Sequence, residues 1–361
     1  MALHFVLKRN DQPLPQAQRE GVLAAPGFGK HFTDHMVHVT WTRDDGWHDA
    51  QVRPYGPLQL DPSAAVLHYA QEIFEGLKAY RHDDGSVWAF RPQANAERFQ
   101  RSARRLALPE LPVDDFVASI EALVEADQDW VPSGGEASLY LRPFMFASEA
   151  FLGVRAAAEV TYCVIASPAG AYFSGGVKPV SIWVSQEFTR AAPGGTGAAK
   201  CGGNYAASLS AQVEASEHGC DQVCFLDAVE HRWVEELGGM NLFFVLDDGT
   251  LVTPELTGTI LEGVTRRSIL QIATDLGHAV VERRVSLEEW REGAASGKVR
   301  EVFACGTAAV VTPVGRLASA DGDVVMGDGT TGPVTAAVRQ ALLDVQQGRA
   351  DDVHGWMHRL V

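Results

Sequence analysis

The chain has 361 residues, of which 46% are hydrophobic and 21% charged, a composition typical of a globular protein long enough for two domains. Its formal net charge of -16 argues against nucleic acids and anionic membranes as partners, since both require a basic surface. The sequence has no run of about 18 apolar residues, and its short apolar start ends at Lys8, so we expect neither a membrane span nor a signal peptide.

The five cysteines are odd in number and the chain is long, so no disulfide framework is implied. Cys220 and Cys224 lie four residues apart, so they do not form a CxxC redox pair. We therefore expect free thiols packed in the cores, a reducing cytoplasmic location and no metal site.

The first half of the chain reads as a mixture of helices and strands. Residues 1–60 are expected to be irregular with short strands. Asn95 is the predicted N-cap of a helix that ends near Pro109, and a second helix is predicted from Asp114. Alternating and β-branched residues predict strands at 138–142 and 160–166.

A connector rich in Gly and Pro spans residues 168–179, and we place the domain boundary there. It separates a small α/β domain, residues 1–167, from a larger domain, residues 180–361. In the larger domain the pattern predicts, in chain order, a strand at 180–185, a Gly-rich loop at 193–203, a helix at 205–218, strands at 222–227, 232–236 and 241–246, a helix at 264–276, a strand at 302–305 and a helix at 334–347. The predicted class is α+β with two domains.

Lysine is scarce in this chain, which makes a reactive lysine easier to find. There are six lysines, and a Schiff base needs an amine that can lose its proton, which arginine cannot supply. Lys200 lies among small residues in the Gly-rich loop, which leaves room for a flat cofactor close to the backbone. Taken alone, Lys200 could equally be a lysine of a surface loop.

Three downstream segments favour a cofactor. Glu236 is followed by Leu-Gly-Gly, which lets the backbone come close to a ring, although a turn glutamate would look the same. Gly263 precedes a predicted helix whose first N–H groups, at Val264 and Thr265, can bind an anion. Thr307 lies where a predicted strand ends in small and hydroxyl residues. Together with Lys200, these segments fit pyridoxal 5'-phosphate, with its phosphate and its protonated ring nitrogen.

With these segments, the sequence resembles the fold-type IV (class IV) pyridoxal-phosphate aminotransferases. Within that family it resembles the branched-chain amino-acid aminotransferases. The resemblance covers nearly the whole chain. It is carried by eight blocks in the expected order: 28–36, 67–69, 73–76, 90–98, 139–143, 170–173, 200–205 and 236–241.

The resemblance implies a role for each cofactor-binding residue. Lys200 is the Schiff-base lysine and also moves the substrate proton. Glu236 pairs with the pyridine nitrogen, and Tyr205 hydrogen-bonds the ring hydroxyl. The phosphate is held by Arg98, Thr307 and the backbone N–H groups of Val264 and Thr265. The sequence pattern puts Arg98 in the first turn of its helix, where a surface arginine is the alternative.

The resemblance also implies an aromatic substrate pocket. Its residues are Phe28, Tyr69, Tyr140 and Tyr172 as walls, Thr307 and Ala308 beside the cofactor, Arg142 for the distal carboxylate of glutamate, and Val154 reaching across from the partner subunit of a homodimer. One pocket must accept an aliphatic side chain and then a charged one. An arginine at its mouth can serve both, provided it has a neutral partner when unused.

The implied activity is reversible amino transfer between leucine, isoleucine or valine and 2-oxoglutarate, in two half-reactions, within branched-chain amino-acid biosynthesis. The alternatives are a D-amino-acid aminotransferase or an aminodeoxychorismate lyase of the same fold, and a catalytically inactive binding protein. Two departures from some relatives stand out. Residues 307–312 contain no CxxC pair, and Gly239 replaces a threonine near the cofactor.

Overall fold

A computed structural model of the protein describes residues 2–170 and 177–361. The chain forms two compact units. Unit 1 comprises Met1–Tyr172, Ala199–Gly202 and Asp344–Val361, and unit 2 comprises Phe173–Ala198 and Gly203–Leu343. Besides the division within the connector, predicted at 168–179, the chain crosses between the units three more times, at 198/199, 202/203 and 343/344. The short segment that contains Lys200 and the C-terminal tail both belong to unit 1.

The mixed α/β composition is confirmed. In chain order the strands are β1 (Val6–Leu7), β2 (His35–Thr42), β3 (Gly46–Pro54), β4 (Glu72–Phe74), β5 (Leu77–Arg81), β6 (Val87–Phe90), β7 (Ser138–Ala147), β8 (Glu159–Ala169), β9 (Val180–Ser185), β10 (Gln222–Leu226), β11 (Val234–Leu237), β12 (Asn241–Leu246), β13 (Leu251–Thr253), β14 (Val280–Glu282), β15 (Val299–Gly306), β16 (Val310–Ala318), β17 (Val324–Val325) and β18 (Met357–Arg359). The helices are α1 (Gln16–Ala24), α2 (Ala65–Tyr69), α3 (Pro92–Arg105), α4 (Val113–Ala126), α5 (Gly202–Ala206), α6 (Leu209–Glu217), α7 (Val264–Asp275), α8 (Leu287–Ser296) and α9 (Pro333–Gln346).

Each unit is built on one sheet. In unit 1 the strand order is β1-β3-β2-β8-β7-β5-β6-β18, with β4 paired to β7, and all pairs except β1 with β3 are antiparallel. The pairing of β18 with β6 explains why the tail belongs to unit 1 and not to the predicted 180–361 domain. In unit 2 the order is β11-β10-β9-β16-β15-β12-β13-β14, with β17 paired to β16.

Helix α3 begins earlier than predicted. Its first residue is Pro92, and Asn95 lies buried inside the helix instead of capping it, so the Asn95 prediction was wrong. The informative signal is Pro92, because proline is favoured at the first helical position, where no N–H is needed. Arg98 consequently lies in the second turn of α3, not in the first. The strands β2 and β3 also make the first 60 residues more regular than expected.

The core of each unit is centred on large aromatic side chains. In unit 1, Phe99, Phe116 and Tyr162 are fully buried, with ring centroids 5.4 to 6.3 Å apart, and they fix α3 and α4 against the sheet. In unit 2, Trp290 of α8 is fully buried and meets Phe244 edge-on at 5.1 Å. These packed cores fix the strand ends and helix starts in place. The polar residues of the candidate site lie on those strand ends and helix starts.

Within the described residues, no helix is both long enough and apolar enough to cross a bilayer. The same part of the chain contains no group of three or more His, Cys, Asp or Glu side chains arranged to hold a metal ion.

Candidate active site

The backbone around Lys200 is fixed by unit 1. The Lys200 N–H donates to Ser102 Oγ at 2.9 Å, and the Lys200 carbonyl accepts from the Phe74 N–H at 3.0 Å. The Gly202 N–H donates to the carboxylate of Glu72. The neighbours Ala199 and Cys201 are buried, whereas Lys200 itself is partly exposed. Lys200 therefore combines a fixed backbone with a partly exposed side chain, as a reactive amine requires. A lysine of a solvated surface loop would lack the fixed backbone.

Phe74 is the surface on which two cationic side chains of unit 1 lie. The Lys200 amine is 4.8 Å from the centroid of the Phe74 ring, and the Arg142 guanidinium carbon is also 4.8 Å from it. An aromatic face attracts cations through its quadrupole, so Phe74 holds both groups without neutralising either. Phe74 lies in one of the blocks that carry the family resemblance, but the sequence alone predicted no role for it.

Arg98 forms a buried, two-point ion pair with Glu75. Arg98 Nε lies 2.7 Å from Glu75 Oε1, and Nη2 lies 2.8 Å from Oε2. The Asn95 amide and the Gly76 N–H donate to the same carboxylate at 2.8 and 3.1 Å. Burial raises the pKa of Glu75, but Arg98, Lys200 and Asn95 outweigh it, so the pKa lies below its ordinary value. Glu75 therefore stays ionised and orients the Arg98 guanidinium.

Tyr140 and Arg142 point to the same face of β7, as residues two apart in a strand do. Arg142 Nη2 donates to the Tyr140 hydroxyl at 2.8 Å, and Phe28 meets the Tyr140 ring edge-on at 5.0 Å. The neutral partner expected for Arg142 is thus the Tyr140 hydroxyl. Gly76 is required here, since an added Cβ would overlap the Tyr140 hydroxyl.

Tyr69 lies in a different environment from Tyr140. Its hydroxyl donates to the Leu152 carbonyl at 2.5 Å, in the loop that also carries Val154. Leu152 and Val154 are exposed by 65% and 88%, so this loop presents apolar side chains to the outside of unit 1. Tyr172, the remaining predicted wall, lies outside the described residues.

Glu236 of β11 is buried in unit 2, and two groups anchor its Oε1. Its Oε1 lies 2.8 Å from Arg190 Nη1 and accepts the Leu261 N–H, also at 2.8 Å. Arg190 also donates to the Thr259 carbonyl at 3.2 Å. Arg190 was not identified from the sequence, because nothing local distinguishes an arginine that pairs with a carboxylate 46 positions away (236 minus 190).

Helix α7 starts at Val264, as predicted, with its N-cap at Gly263. No side chain caps this helix start, so the N–H groups of Val264 and Thr265 are not engaged by a capping side chain of the helix. Asn241 donates to the Leu261 carbonyl at 3.0 Å, and an added Cβ at Gly263 would overlap the Asn241 side chain. Glycine at position 263 therefore lets the chain pass close to Asn241 as it enters α7, and the start of this helix is suited to binding an anion.

Tyr205 and the turn that contains Thr307 and Ala308 both border the Glu236–Asn241 segment. An added Cβ at Gly239 would lie 3.4 Å from Tyr205 Cε1, an ordinary contact, so the Tyr205 ring edge lies beside this glycine. Thr307 and Ala308 lie in the tight connection between β15 and β16, closed by the pairing of Gly306 with Val310. An added Cβ at Gly306 would lie 3.7 Å from the Gly239 carbonyl oxygen.

The predicted residues therefore fall into two sets. Unit 1 contains an amine, a buried arginine and an aromatic wall with a second arginine; these are Lys200, Arg98, Phe28, Tyr140 and Arg142. Unit 2 contains a buried carboxylate, a phenol and an uncapped helix start; these are Glu236, Tyr205, Val264 and Thr265. The chemistry of the second set matches a ring nitrogen, a ring hydroxyl and a phosphate, so the residues present fit pyridoxal phosphate.

Comparison with known proteins identifies the family. The family model described as amino-transferase class IV matches residues 72–317. The chain is 60% identical over 362 aligned positions to the branched-chain-amino-acid aminotransferase of Mycolicibacterium smegmatis, covering 99% of this chain and 98% of that protein. It is 59% identical over 363 positions to the protein of the same name from Mycobacterium tuberculosis H37Rv, with 99% of both covered.

Solved structures give the same result at lower identity. The branched-chain amino acid aminotransferase of Escherichia coli superposes with a TM-score of 0.74 at 30% identity, covering 90% of this chain and 99% of that one. The T.th. enzyme complexed with N-(5'-phosphopyridoxyl)-L-glutamate does so with a TM-score of 0.74 at 30% identity, covering 90% and 98%. A D-amino-acid aminotransferase, a lyase or an inactive binding protein is not favoured. The chain belongs to the class IV aminotransferases, in the branch of the branched-chain amino-acid aminotransferases.

Proposed function

We propose that the protein transfers the amino group reversibly between leucine, isoleucine or valine and 2-oxoglutarate. The observation that carries this proposal is the 60% identity, over 99% of the chain, to a protein named branched-chain-amino-acid aminotransferase. The fixed position of Lys200 beside Phe74 and the anchoring of Glu236 support it, because both residues have the chemistry that the reaction needs.

Pyridoxal phosphate, when bound, supplies the carbonyl that takes up the amino group and a ring that accepts electrons. Lys200 holds the cofactor through its amine and moves a proton at the substrate α-carbon. Glu236 keeps a proton on the ring nitrogen, and Tyr205 hydrogen-bonds the ring hydroxyl. Arg98, Thr307 and the N–H groups of Val264 and Thr265 hold the phosphate, with Glu75 orienting Arg98.

Arg142 is the residue that lets one pocket serve two substrates. With leucine, the guanidinium keeps the Tyr140 hydroxyl as its partner, at the 2.8 Å separation found here. With glutamate, it turns to the distal carboxylate, a stronger, charge-assisted contact. Phe28 and Tyr140 supply the apolar wall that an aliphatic side chain needs, and Ala308 contributes at the cofactor side.

We also infer a homodimer in which Val154 lines the partner's pocket. This is supported by two apolar side chains, Leu152 and Val154, that are exposed in the same loop of unit 1. The Tyr69 hydroxyl donates to the Leu152 carbonyl, so we expect Tyr69 to lie beside that loop in the dimer as well. A cytoplasmic location is proposed because all five cysteines are free, buried thiols.

The purified protein tests the activity directly. Incubation with pyridoxal phosphate, leucine and 2-oxoglutarate should yield glutamate and 4-methyl-2-oxopentanoate. D-alanine in place of leucine, or aminodeoxychorismate alone, should give no turnover. Turnover of either of these two, with none of leucine, would contradict the proposal.

A further inference from the structure

Arg190 lies next to two buried glutamates, so the cluster holds one more acid than base. Arg190, Glu235 and Glu236 are 4%, 6% and 2% exposed. Glu235 and Glu236 are adjacent in β11 and point to opposite faces of the strand. Buried charges usually occur in matched pairs, so an excess carboxylate here calls for a reason.

Arg190 contacts only one of the two carboxylates directly. Its Nη1 lies 2.8 Å from Glu236 Oε1 and 3.2 Å from the Thr259 carbonyl oxygen. A guanidinium this close to Glu236 stabilises the ionised carboxylate, but it also weakens the attraction of that carboxylate for a second cation. Left unbalanced, Arg190 would oppose a protonated ring nitrogen at Glu236.

Glu235 is placed to balance Arg190. Its Oε1 is hydrogen-bonded to Thr259 Oγ1, the residue whose carbonyl receives Arg190. Its Oε2 is buried and has no hydrogen-bond partner among the described residues. Burial raises the pKa of Glu235 and Asp227 adds to the rise, while Thr259 and Arg190 oppose it. The charge of Arg190 therefore reaches Glu235 although the two are not directly paired.

The other charged groups around Glu235 are already used. Asp227 accepts four backbone N–H groups, from Val229, Glu230, Arg232 and Trp233. Glu230, Glu255 and Arg284 line a cavity of about 340 Å³ that Glu235 borders, and Arg284 Nε lies 3.1 Å from Glu255. The facing thiol, Cys224, is fully buried, and burial raises its pKa strongly. Arg190 is thus the one cation near Glu235, among the described groups, that is shared with Glu236.

We propose that Glu235 is a positioning residue that offsets the charge of Arg190, so that Glu236 can bind a protonated ring nitrogen. Arg190 and the two glutamates together carry one net negative charge, which the ring nitrogen neutralises on binding. The inference rests on the proposed function, because it requires the cofactor ring at Glu236. Glu235 touches neither cofactor nor substrate; it acts through Arg190.

A simpler role for Glu235 would be to hold the 257–259 turn through Thr259, whose hydroxyl also lies 2.7 Å from that of Thr257. Glu235→Gln separates the two roles, because glutamine keeps the shape, can accept the same hydrogen bond from Thr259 through its Oε1, and removes the charge. The matched control is Glu292→Gln, which removes the same charge from an exposed position of α8 in the same unit.

The experiment measures the affinity of the cofactor-free protein for two ligands at pH 8. One is pyridoxamine 5'-phosphate; the other is its analogue with carbon in place of the ring nitrogen. Glu235→Gln should weaken binding of pyridoxamine 5'-phosphate by about tenfold, the lower end of the roughly 1–3 pKa units that one nearby charge produces. The carbon analogue should bind Glu235→Gln and wild type equally, and Glu292→Gln should match wild type with both ligands.

An equal loss for both ligands, or no loss for either, overturns the inference. A second variant, Glu235→Asp, keeps the charge but shortens the reach to Thr259. It should bind pyridoxamine 5'-phosphate more tightly than Glu235→Gln does; the reverse order would make the contact with Thr259 the important one. Failure of the proposed function would look different, since wild type would then either bind neither ligand or bind both and turn over D-alanine or aminodeoxychorismate instead of leucine.

Discussion

The two units each bury an arginine beside glutamate, but in different proportions. In unit 1, Arg98 meets Glu75 one to one, through two parallel contacts of 2.7 and 2.8 Å. In unit 2, Arg190 is near both Glu235 and Glu236 and, of these two carboxylates, contacts only that of Glu236. A matched pair fixes a donor in direction without leaving net charge. An unmatched set leaves a net negative charge that attracts a cation. The first suits a phosphate-binding arginine, and the second suits a protonated ring.

The largest effect should come from removing the amine that unit 1 holds beside Phe74. Lys200→Ala should lower transamination by at least about 10⁴-fold, because the covalent and proton-transfer roles are both lost. The phosphate and ring contacts remain, so the variant should still bind pyridoxal phosphate. Steady-state rates and equilibrium dialysis measure the two effects. Lys298→Ala, an exposed lysine, is the control, and near-normal turnover by Lys200→Ala would falsify the assignment.

Breaking the matched pair should cost stability. Glu75→Gln leaves the buried Arg98 without a carboxylate, and such a loss typically costs about 3–5 kcal/mol. Urea unfolding of wild type, Glu75→Gln and Glu97→Gln, an exposed glutamate of α3, measures it. A loss no greater than that of the Glu97 variant would mean that the pair contributes little.

The Arg98–Glu75 pair also makes the free energy of unfolding depend on pH, with a definite sign. The folded-state pKa of Glu75 is lowered, so its contribution to stability is present above the unfolded-state pKa of about 4.3 and is lost as pH falls through the folded-state pKa. Wild type should therefore lose its advantage over Glu75→Gln on acidification below about pH 4. An advantage that stays constant from neutral pH down to about pH 3 would show that Glu75 is not preferentially ionised in the fold.

In unit 2, Glu236→Gln should keep the fold and the cofactor but lower the rate by about 10²-fold, since a charge that stabilises the transition state is removed. Glu235→Gln should have a smaller effect, because that residue acts through Arg190. Presteady-state rates with leucine rank the two variants. If Glu236→Gln reacts as fast as wild type, the ring nitrogen is served by another carboxylate, and Glu235 is the first to examine.

The smallest effect separates the two substrates. Arg142→Met should slow the half-reaction with glutamate by about ten- to a hundredfold, the worth of one charge-assisted contact of about 1.5–3 kcal/mol. The half-reaction with leucine should change much less, because Arg142 has a hydroxyl and not a carboxylate as its hydrogen-bond partner. Single-turnover absorbance with each amino acid measures this, with Arg9→Met, at an exposed arginine of unit 1, as the control. Equal losses for both amino acids would make Arg142 a structural residue.

The sequence was most informative where chemistry is local. The start of α7 at Val264 was predicted from the glycine before it and is confirmed, and Lys200 could be singled out as a candidate because lysine is scarce and small residues surround this one. The partners of these groups could not be predicted in the same way. Arg98 and Glu75 are 23 positions apart, and their pairing depends on how α3 packs against the sheet. The N-cap prediction at Asn95 failed because the Asn95 amide donates to Glu75, and this contact also depends on how α3 packs against the sheet.

The origin and fate of the amino group test the central claim most directly. Purified protein with pyridoxal phosphate is given leucine labelled with ¹⁵N and unlabelled 2-oxoglutarate, and the products are followed by NMR. We expect the label to appear in glutamate, in equal amount with 4-methyl-2-oxopentanoate, for wild type and not for Lys200→Ala. Release of labelled ammonia, or leucine that remains unchanged with wild type, would contradict the assignment as a branched-chain amino-acid aminotransferase.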